Sequence, residues 1–166
     1  MFAIPATIAL FVSASVAQPG LSTPNGTVNA LYDVISGPVG EKRDVDAFRA
    51  LFHETAKMVS VSGSVDGKVR YNVIEIEGYV KNLTNLERIG FTESEVKNTT
   101  EIYGNVAHVF TTYVGKYTAN GEEHTSRGIN SVQLMFDGEK WLIMNIVWQN
   151  EVPGIEIPKK YLPDGN

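Results

Sequence analysis

The sequence contains no cysteine, and this absence narrows the chemistry that the chain can perform. Disulfide bonds, thiolate metal ligands and cysteine nucleophiles are excluded. The three histidines, His53, His108 and His124, do not form a ligand-spaced motif, so no metal site is predicted. The sequence has no Gly-rich phosphate loop, Gly-x-Ser-x-Gly elbow or His-Glu-x-x-His motif, so nucleotide-binding proteins, serine hydrolases and zincins are unsupported classes. No cofactor is predicted.

Basic residues are scarce as well. The 166 residues include 14 Lys and Arg against 19 Asp and Glu, which gives a formal net charge of −5. Nucleic acids and anionic membranes both need clustered positive charge, and the pairs Lys42-Arg43 and Lys159-Lys160 are too small to supply it. We therefore predict that neither nucleic acid nor a membrane is a partner. The length and the 43% hydrophobic content are typical of one soluble globular domain.

Near the N-terminus, the apolar stretch Ile4–Val12 is well short of the roughly 20 residues that span a bilayer. Residues 1–17 carry no charge and end in Ser15-Val16-Ala17, which is typical of an export signal with its cleavage site. We predict cleavage near Ala17 and a periplasmic or secreted protein. The alternative is a cytoplasmic protein whose start is mis-assigned or whose N-terminus is disordered.

Apolar residues at helical spacing predict three helices before residue 91. The first contains Val28, Leu31, Tyr32 and Ile35, the second begins after Asp44, and the third spans Ile74–Ile89 and ends at Gly90. Short strands are predicted between the second and third helices, over residues 57–61 and 69–73.

From Phe91 the hydrophobic period changes to about two, which predicts strands. The four predicted strands are Thr92–Tyr103, Val106–Thr118, Glu123–Phe136 and Lys140–Gln149. Their turns are Gly104-Asn105, Asn120-Gly121 and Asp137-Gly138, so the strands form an antiparallel meander. Helices on one face of this sheet give an α+β fold. The first strand has Glu93, Glu95, Lys97 and Glu101 on one side, as expected for a solvated edge.

The last hairpin predicts that both sheet faces are apolar. With a two-residue turn at Asp137-Gly138, one face carries Asn130, Val132, Leu134, Trp141, Ile143, Asn145, Val147 and Gln149. The other carries Arg127, Ile129, Ser131, Gln133, Met135, Leu142, Met144, Ile146 and Trp148. The helices cover one face, so a second subunit is the simplest cover for the other, and we predict a homodimer.

Several segments carry a resemblance to a known superfamily. They are Ala30-Leu31-Tyr32, Phe48–Phe52, Tyr103–Ala107, Arg127–Leu134, Trp141 and Val147-Trp148-Gln149. Their arrangement resembles the nuclear-transport-factor-2-like superfamily, which has a cystatin-like cone fold, and within it a bacterial branch of SnoaL-like proteins. The resemblance covers residues 27–151, and residues 152–166 are predicted to form a Pro-rich extended arm.

The resemblance implies three N-terminal helices packed on a strongly curved, mostly antiparallel sheet. It also implies a concave interior that holds a small apolar molecule. The candidate pocket residues are Tyr32, Phe48, Phe52, Tyr113, Asn130, Asn145 and Gln149. The candidate dimer-interface residues are Arg127, Gln133, Met144 and Trp148. Asn130 and Asn145 are predicted cross-strand partners. The polar side chains of the central strands either line the pocket or form a network that fixes the dimer register.

Acid/base catalysis needs a carboxylate or histidine in a partly dry pocket, and His108, Tyr113 and Glu151 are the candidates. No Asp or Glu lies inside the three central strands, which argues against a mechanism like that of ketosteroid isomerase. We therefore predict a homodimer that binds a small apolar molecule without demonstrable catalysis. The alternatives are a dehydratase- or cyclase-like lyase or isomerase, and a dimeric assembly module.

Overall fold

The computed structural model of the chain describes residues 19–63 and 68–163. The predicted export signal over residues 1–17 lies outside these residues, and export stays a prediction. None of the described helices is long and apolar enough to cross a membrane.

Three α-helices occur in the described residues, and two have side-chain caps. Helix α1 spans Pro24–Ile35, and the Thr23 hydroxyl accepts a hydrogen bond from Gly26 N at its start. Helix α2 spans Val45–Arg49 after Asp44, whose carboxylate accepts from Ala47 N. Helix α3 spans Ile76–Ile89 and ends at Gly90 with a φ of 61°.

The prediction of three N-terminal helices is confirmed only in part. Helix α3 follows two strands, as the sequence predicts, but helix α2 is shorter than predicted and has only five residues. The predicted second helix shortens because Phe52 already belongs to a strand, in which Phe52, Ala56 and Met58 are buried. In this strand the buried residues follow the two-residue period of β structure instead of the helical period.

The described residues contain one six-stranded sheet. Its strands are β1 Phe52–Ser62, β2 Arg70–Glu75, β3 Thr92–Tyr103, β4 Val106–Ala119, β5 Glu122–Phe136 and β6 Trp141–Asn150. The spatial order is β2-β1-β6-β5-β4-β3, and all neighbours are antiparallel except β1 and β6, which are parallel. The predicted meander is confirmed to within a residue or so at the strand ends.

The turn between β4 and β5 is the predicted two-residue hairpin. Asn120 and Gly121 have φ values of 54° and 82°. Positive φ at both positions gives a turn whose twist matches that of the flanking strands. The pairing that follows has no irregularity, so His108 lies opposite Gln133, as predicted.

The hairpin between β5 and β6 differs from the prediction. Phe136 pairs with Trp141, and the turn has four residues, closed by a 3.0 Å hydrogen bond from Asp137 N to Lys140 O. Further along, Leu134 pairs with Ile143 but Gln133 pairs with Asn145, so Met144 is an extra residue on β6. This β-bulge reverses which side chains face each side of the sheet in the rest of β6.

The helices pack on one face of the sheet, here called the inner face. Val28 of α1, Phe48 of α2 and Leu83 of α3 are buried against sheet residues that include Val109, Val132 and Ile143. Thr27 Oγ1 donates to Trp141 O at 3.1 Å, which joins the start of α1 to the start of β6. Together the helices and the curved sheet form a cone.

A buried arginine fastens the connections between the helices and the sheet. Arg43 is 6% exposed, and its guanidinium donates to the carbonyl oxygens of Ile35, Gly37, Glu41 and Phe91 at 2.8–3.3 Å. Its backbone N–H donates to Glu87 Oε1 at 3.0 Å. One side chain therefore joins the end of α1 to the turn between α3 and β3.

The C-terminal segment lies against the outer face of the sheet. Residues 152–155 form a tight bridged turn, and Lys159–Tyr161 form a short 3-10 helix. The Tyr161 ring lies 4.9 Å from that of Phe110, and Thr112 Oγ1 donates to Tyr161 O at 2.7 Å. The arm therefore covers part of β4 in its own sheet.

Candidate functional site

A cavity of about 370 Å³ lies between the inner face of the sheet, α1 and α3. Much of its wall is aliphatic, with contributions from Leu31, Ile35, Met58, Ile74, Leu86, Ile89 and Ile146. This volume falls within the range of ordinary small-molecule sites, which are mostly apolar with a few placed polar groups.

Aromatic side chains form the second part of the lining. We call this set the aromatic wall; it consists of Tyr79, Phe91, Tyr113, Tyr117 and Trp148. Tyr79 comes from α3, Phe91 from the connection before β3, and the others from β4 and β6, so the folded chain brings them together from four places. Tyr79 also stacks on Phe48, with ring centroids 5.4 Å apart, which connects the wall to the core.

Glu93 is the one carboxyl group among the described residues that line the cavity, and none of those residues is Lys, Arg or His. It pairs with Gly115 on β4, so its side chain points to the inner face. Burial raises the pKa of Glu93 to about 7, and a hydrogen bond from Asn130 opposes this effect in part. A carboxyl group with this pKa can accept or donate a proton near neutral pH.

A hydrogen-bond chain behind the cavity holds Glu93 in place. Asn130 Nδ2 donates to Glu93 Oε1 and to the Tyr32 hydroxyl, both at 3.1 Å. Thr111 Oγ1 donates its one proton to Glu95 Oε2 at 2.8 Å, so in its 3.2 Å contact with Tyr32 it accepts. Each buried hydroxyl is therefore satisfied, and the Asn130 amide has a fixed orientation.

The absence of a side chain at Gly128 allows the Tyr113 ring to lie against the sheet. Its hydroxyl donates to Asn150 Oδ1. A Cβ atom on Gly128 would lie 2.4 Å from this hydroxyl oxygen, so the ring approaches the β5 backbone where a larger residue would prevent it. Burial raises the pKa of Tyr113 and of Tyr79, and both phenols therefore stay protonated donors at neutral pH.

Solved structures show the same arrangement of strands and helices. A candidate calcium/calmodulin-dependent protein kinase II association domain from Xanthomonas campestris is 12% identical, with a TM-score of 0.57 over 91% of this chain and 98% of that one. A nuclear transport factor 2-like superfamily protein from Salmonella enterica is 14% identical, with a TM-score of 0.56 over 76% of this chain and 87% of that one. The chain has the nuclear-transport-factor-2-like fold.

A third structure, a candidate scytalone dehydratase from Novosphingobium aromaticivorans, is 12% identical, with a TM-score of 0.51 over 74% of this chain and 80% of that one. No protein-family model and no curated protein matches the sequence. At these identities the likeness shows the fold alone, so the function must be argued from the site.

The cone brings some of the predicted pocket residues to the cavity and not others. Tyr113 and Asn130 line it, and Tyr32 lies directly behind Asn130. Phe48 and Phe52 belong to the packed core, with ring centroids 4.8 Å apart, and do not line the cavity.

Asn145 and Gln149 are on the opposite face, so their placement in the pocket is wrong. Beyond the Met144 bulge, Asn145 pairs with Gln133 and Gln149 with Ile129, both on the outer face. The predicted pair of Asn130 with Asn145 is wrong for the same reason, because Asn130 lies opposite Trp148.

The predicted dimer-interface residues also divide between the two faces of the sheet. Trp148 lines the cavity and is not on the outer face, whereas Arg127 and Gln133 are there and Met144 is the bulge residue. Arg127 Nη2 lies 2.7 Å from Glu151 Oε2, so it forms an ion pair within the chain.

The catalytic candidates His108, Tyr113 and Glu151 do not converge. His108 and Tyr113 are five residues apart on one strand and therefore point to opposite faces. His108 Nε2 lies 3.0 Å from Ser131 Oγ on the outer face. Glu151 accepts from Ile157 N and from Arg127, which hold its pKa below the usual range.

Sequence reasoning missed Glu93. It assigned Glu93, Glu95, Lys97 and Glu101 to one solvated side, but a bulge between Glu95 and Lys97 separates them. Glu93 and Glu95 face inward, whereas Lys97 and Glu101 pair with outer-face residues of β4. At the start of β3, Thr92 and Ser94 lie on one side and Glu93 and Glu95 on the other. Neither side is apolar, so no hydrophobic pattern could have identified which side faces inward. No group of three His, Asp or Glu suited to a metal ion occurs in residues 19–63 and 68–163.

Proposed function

We propose that the protein binds a small, mostly apolar molecule in the cone cavity. The observation that carries this proposal is a cavity of about 370 Å³ whose apolar walls surround a few fixed polar groups, Glu93, Asn130 and Tyr113. A core selected only for packing fills such a space, since voids cost stability.

Ligand binding is tested with N-phenyl-1-naphthylamine, an uncharged dye that fluoresces in apolar sites. We expect the dye to bind the wild-type protein and to fail to bind Ser126→Trp, because Ser126 lines the cavity and an indole there would fill it. The matched control is Thr125→Trp, whose side chain is exposed on the other face of the same strand. Equal fluorescence of both variants, or no binding to wild type, would contradict the proposal.

We also propose a homodimer that forms through the outer face. Tyr71 and Val73 on β2 are 69% and 54% exposed, and their neighbours Val59 and Val61 on β1 face the same side. A two-fold contact places such a patch against its own copy, which removes it from water on both subunits. Sedimentation velocity should show a dimer for wild type and a monomer for Val73→Lys; a monomeric wild type contradicts this part.

Acid/base catalysis is the second candidate function, and Glu93 is the observation that favours it. The three central strands contain no Asp or Glu, which argues against a mechanism like that of ketosteroid isomerase, but Glu93 on the edge strand β3 supplies a carboxyl group inside the cavity. As a base it would remove a proton from a carbon beside a carbonyl group, while the Tyr79 hydroxyl stabilises the oxyanion that forms. In this candidate, Glu93 replaces His108 and Glu151.

The catalytic candidate is tested by hydrogen exchange of 2-tetralone in D₂O, followed by NMR. We expect the wild-type protein to accelerate exchange beside the carbonyl group, with a rate that rises as the pH passes about 7, where Glu93 becomes ionised. Glu93→Gln should return exchange to the buffer rate, whereas His108→Gln should leave it unchanged. A wild-type rate equal to that of buffer would exclude this chemistry for the probe.

An assembly module remains the third candidate. Ile102, Tyr103 and Val106 are exposed at the hairpin between β3 and β4, away from the patch on β1 and β2. A second apolar patch of this kind would support an assembly larger than a dimer. Sedimentation velocity distinguishes a dimer from a larger assembly. Tyr103→Lys should reduce the mass of a larger assembly and leave the mass of a dimer unchanged.

A further inference from the structure

We infer that the cone cavity selects organic monocations, namely protonated or quaternary amines with an apolar body. This inference rests on the proposed binding function and specifies its ligand class. The observations behind it are the charge of the lining, the aromatic wall and the carboxylate of Glu93, which has no ion pair among the described lining residues.

The charge of the cavity lining has one sign, which is negative. Among the described residues that line the cavity there is one carboxyl group and no Lys, Arg or His, so no cationic side chain neutralises Glu93 there. Its polar contact is the amide of Asn130, which is uncharged. Glu95 lies behind the wall and accepts from Thr111 and Asn98, which adds a second negative charge nearby. The charge of Glu93 would repel an anionic ligand, and no cationic side chain in the described lining would offset this repulsion, whereas a cation would supply the missing counter-charge.

In residues 19–63 and 68–163, the elements around the cavity place no Lys, Arg or His in its lining. Helix α3 contributes Tyr79 to the lining and β4 contributes Tyr113 and Tyr117, while Tyr32 of α1 lies behind Asn130. His124 on β5 stacks on Tyr117 with centroids 5.2 Å apart. The lining residues from β1, β2 and β6, among them Ser60, Asn72 and Trp148, carry no charge. Arg43 lies behind Ile35 and Phe91 with its N–H groups on backbone carbonyls, and it does not line the cavity.

The aromatic wall gives the cation a second source of attraction. The faces of Trp and Tyr rings attract an ammonium group placed over them, and the attraction is larger when the group is desolvated. The wall has three tyrosines, one phenylalanine and one tryptophan around a space whose remaining lining is largely aliphatic. An amine with an apolar body would therefore place its charge near Glu93 and its carbon skeleton against Leu31, Ile35 and Ile146.

Two isosteric probes test this selectivity. Benzyltrimethylammonium and neopentylbenzene have the same shape and differ by one positive charge, and their affinities are measured by displacement of N-phenyl-1-naphthylamine. At pH 8 we expect the cation to bind about tenfold tighter or more than its uncharged isostere. At pH 5.5 the ratio should fall, because Glu93, with a pKa of about 7, becomes protonated and loses its charge.

Glu93→Gln is the decisive variant. It should lose about tenfold in affinity for benzyltrimethylammonium at pH 8 and bind neopentylbenzene as wild type does. The matched control is Glu101→Gln, which removes the same charge from an exposed outer-face position of the same strand and should change neither affinity. Circular dichroism checks that the variants fold, and Trp148→Leu provides a second test, because it should weaken the cation more than the isostere.

The outcomes separate this inference from the function on which it rests. If both probes bind wild type equally at pH 8, or if Glu93→Gln weakens both equally, the cation preference is overturned while the binding cavity stands. If neither the dye nor either probe binds, the proposed function itself fails. Tighter binding of benzenesulfonate than of benzyltrimethylammonium would also overturn the inference.

Discussion

The two ends of the cone use the same face of the same sheet in different ways. At one end, here called the filled end, Val28, Phe48, Phe52, Trp141 and Ile143 pack to exposures of 0–7%. At the other, the open end, the sheet and helices leave the cavity of about 370 Å³. The aliphatic residues of α1 take part in both, since Val28 is at the filled end and Leu31 and Ile35 line the cavity.

The difference between the ends lies in what holds the side chains in place. At the filled end apolar side chains fix one another by contact, which is the usual state of a protein interior. At the open end the aliphatic lining is also packed, but hydrogen bonds hold the polar side chains: Asn130 holds Glu93, and Asn150 holds Tyr113. A polar side chain that is hydrogen-bonded to the protein keeps its orientation even where it borders an open cavity. An apolar side chain keeps its orientation only through contact with neighbouring side chains.

The largest expected effect comes from breaking the filled end. Phe48 is fully buried, so Phe48→Ala should lower the free energy of unfolding by about 4 kcal/mol, since it leaves a cavity in packed surroundings. Trp148→Ala at the open end should cost only about 1–2 kcal/mol, because that ring already borders empty space. Urea denaturation measures both, and equal losses would contradict the contrast between the ends.

Arg43 donates to the carbonyl oxygens of Ile35 and Phe91, which both line the cavity at the open end, and its removal should rank second. Arg43→Met keeps much of the side-chain volume but removes the guanidinium donor from the carbonyl oxygens of Ile35, Gly37 and Glu41, while Phe91 O keeps its hydrogen bond from Gly37 N. We expect a loss of about 3 kcal/mol in unfolding free energy. Arg43→Lys should recover only part of this, because an ammonium group lacks the planar fork of donors. Urea denaturation of both variants would refute this role if methionine were tolerated as well as lysine.

A smaller change at the open end tests the position of Tyr113. Gly128→Ala should cost about 2 kcal/mol, because the added Cβ would lie 2.4 Å from both the Tyr113 hydroxyl and Gln149 O. The ring must then move, and dye binding should weaken with it. Gly78→Ala in α3 is the control, where a new Cβ has only Ile74 within 4 Å, and thermal unfolding should show little change or a small gain.

The smallest effect depends on pH. Folding raises the pKa of Glu93 from 4.5 to about 7, so the folded state binds the proton more tightly, and stability falls as the pH rises between these values. Glu93→Gln removes this loss. The variant should be more stable than wild type at pH 8 by about 1–2 kcal/mol, with little difference at pH 4.5. Urea denaturation at both pH values measures this, and a pH-independent difference would contradict the assignment.

The sequence predicts local features, such as turns and helix ends, more accurately than it predicts the register between paired strands. Short-range sterics determine the turn at Asn120 and Gly121 and the helix end at Gly90. The residue types at these positions, which tolerate positive φ, are visible directly in the sequence. The bulge at Met144 has no such signature, because Ile143, Met144, Ile146 and Val147 are all apolar and suit either face. For this reason Trp148 and Gln149 were assigned to the wrong sides.

The candidate site was harder to predict than the fold. Asn130 and Tyr113 were found because polar or aromatic residues interrupt apolar strands, but Glu93 follows an α-helix on an edge strand where charge is common. Its inward direction depends on a pairing with Gly115 that spans 22 positions of sequence. Long-range pairing of this kind comes from the whole sheet and leaves no local pattern.

The Met144 bulge also determines which substitutions β6 can accept. Before it, the odd-numbered residues Trp141 and Ile143 face the interior; after it, the even-numbered residues Ile146 and Trp148 do. A scan of polar substitutions along this strand should therefore show an alternation of tolerated and rejected positions that changes phase at residue 144. Loss or gain of one residue at that point would exchange the inner and outer surfaces of half a strand, and with them the wall of the cavity.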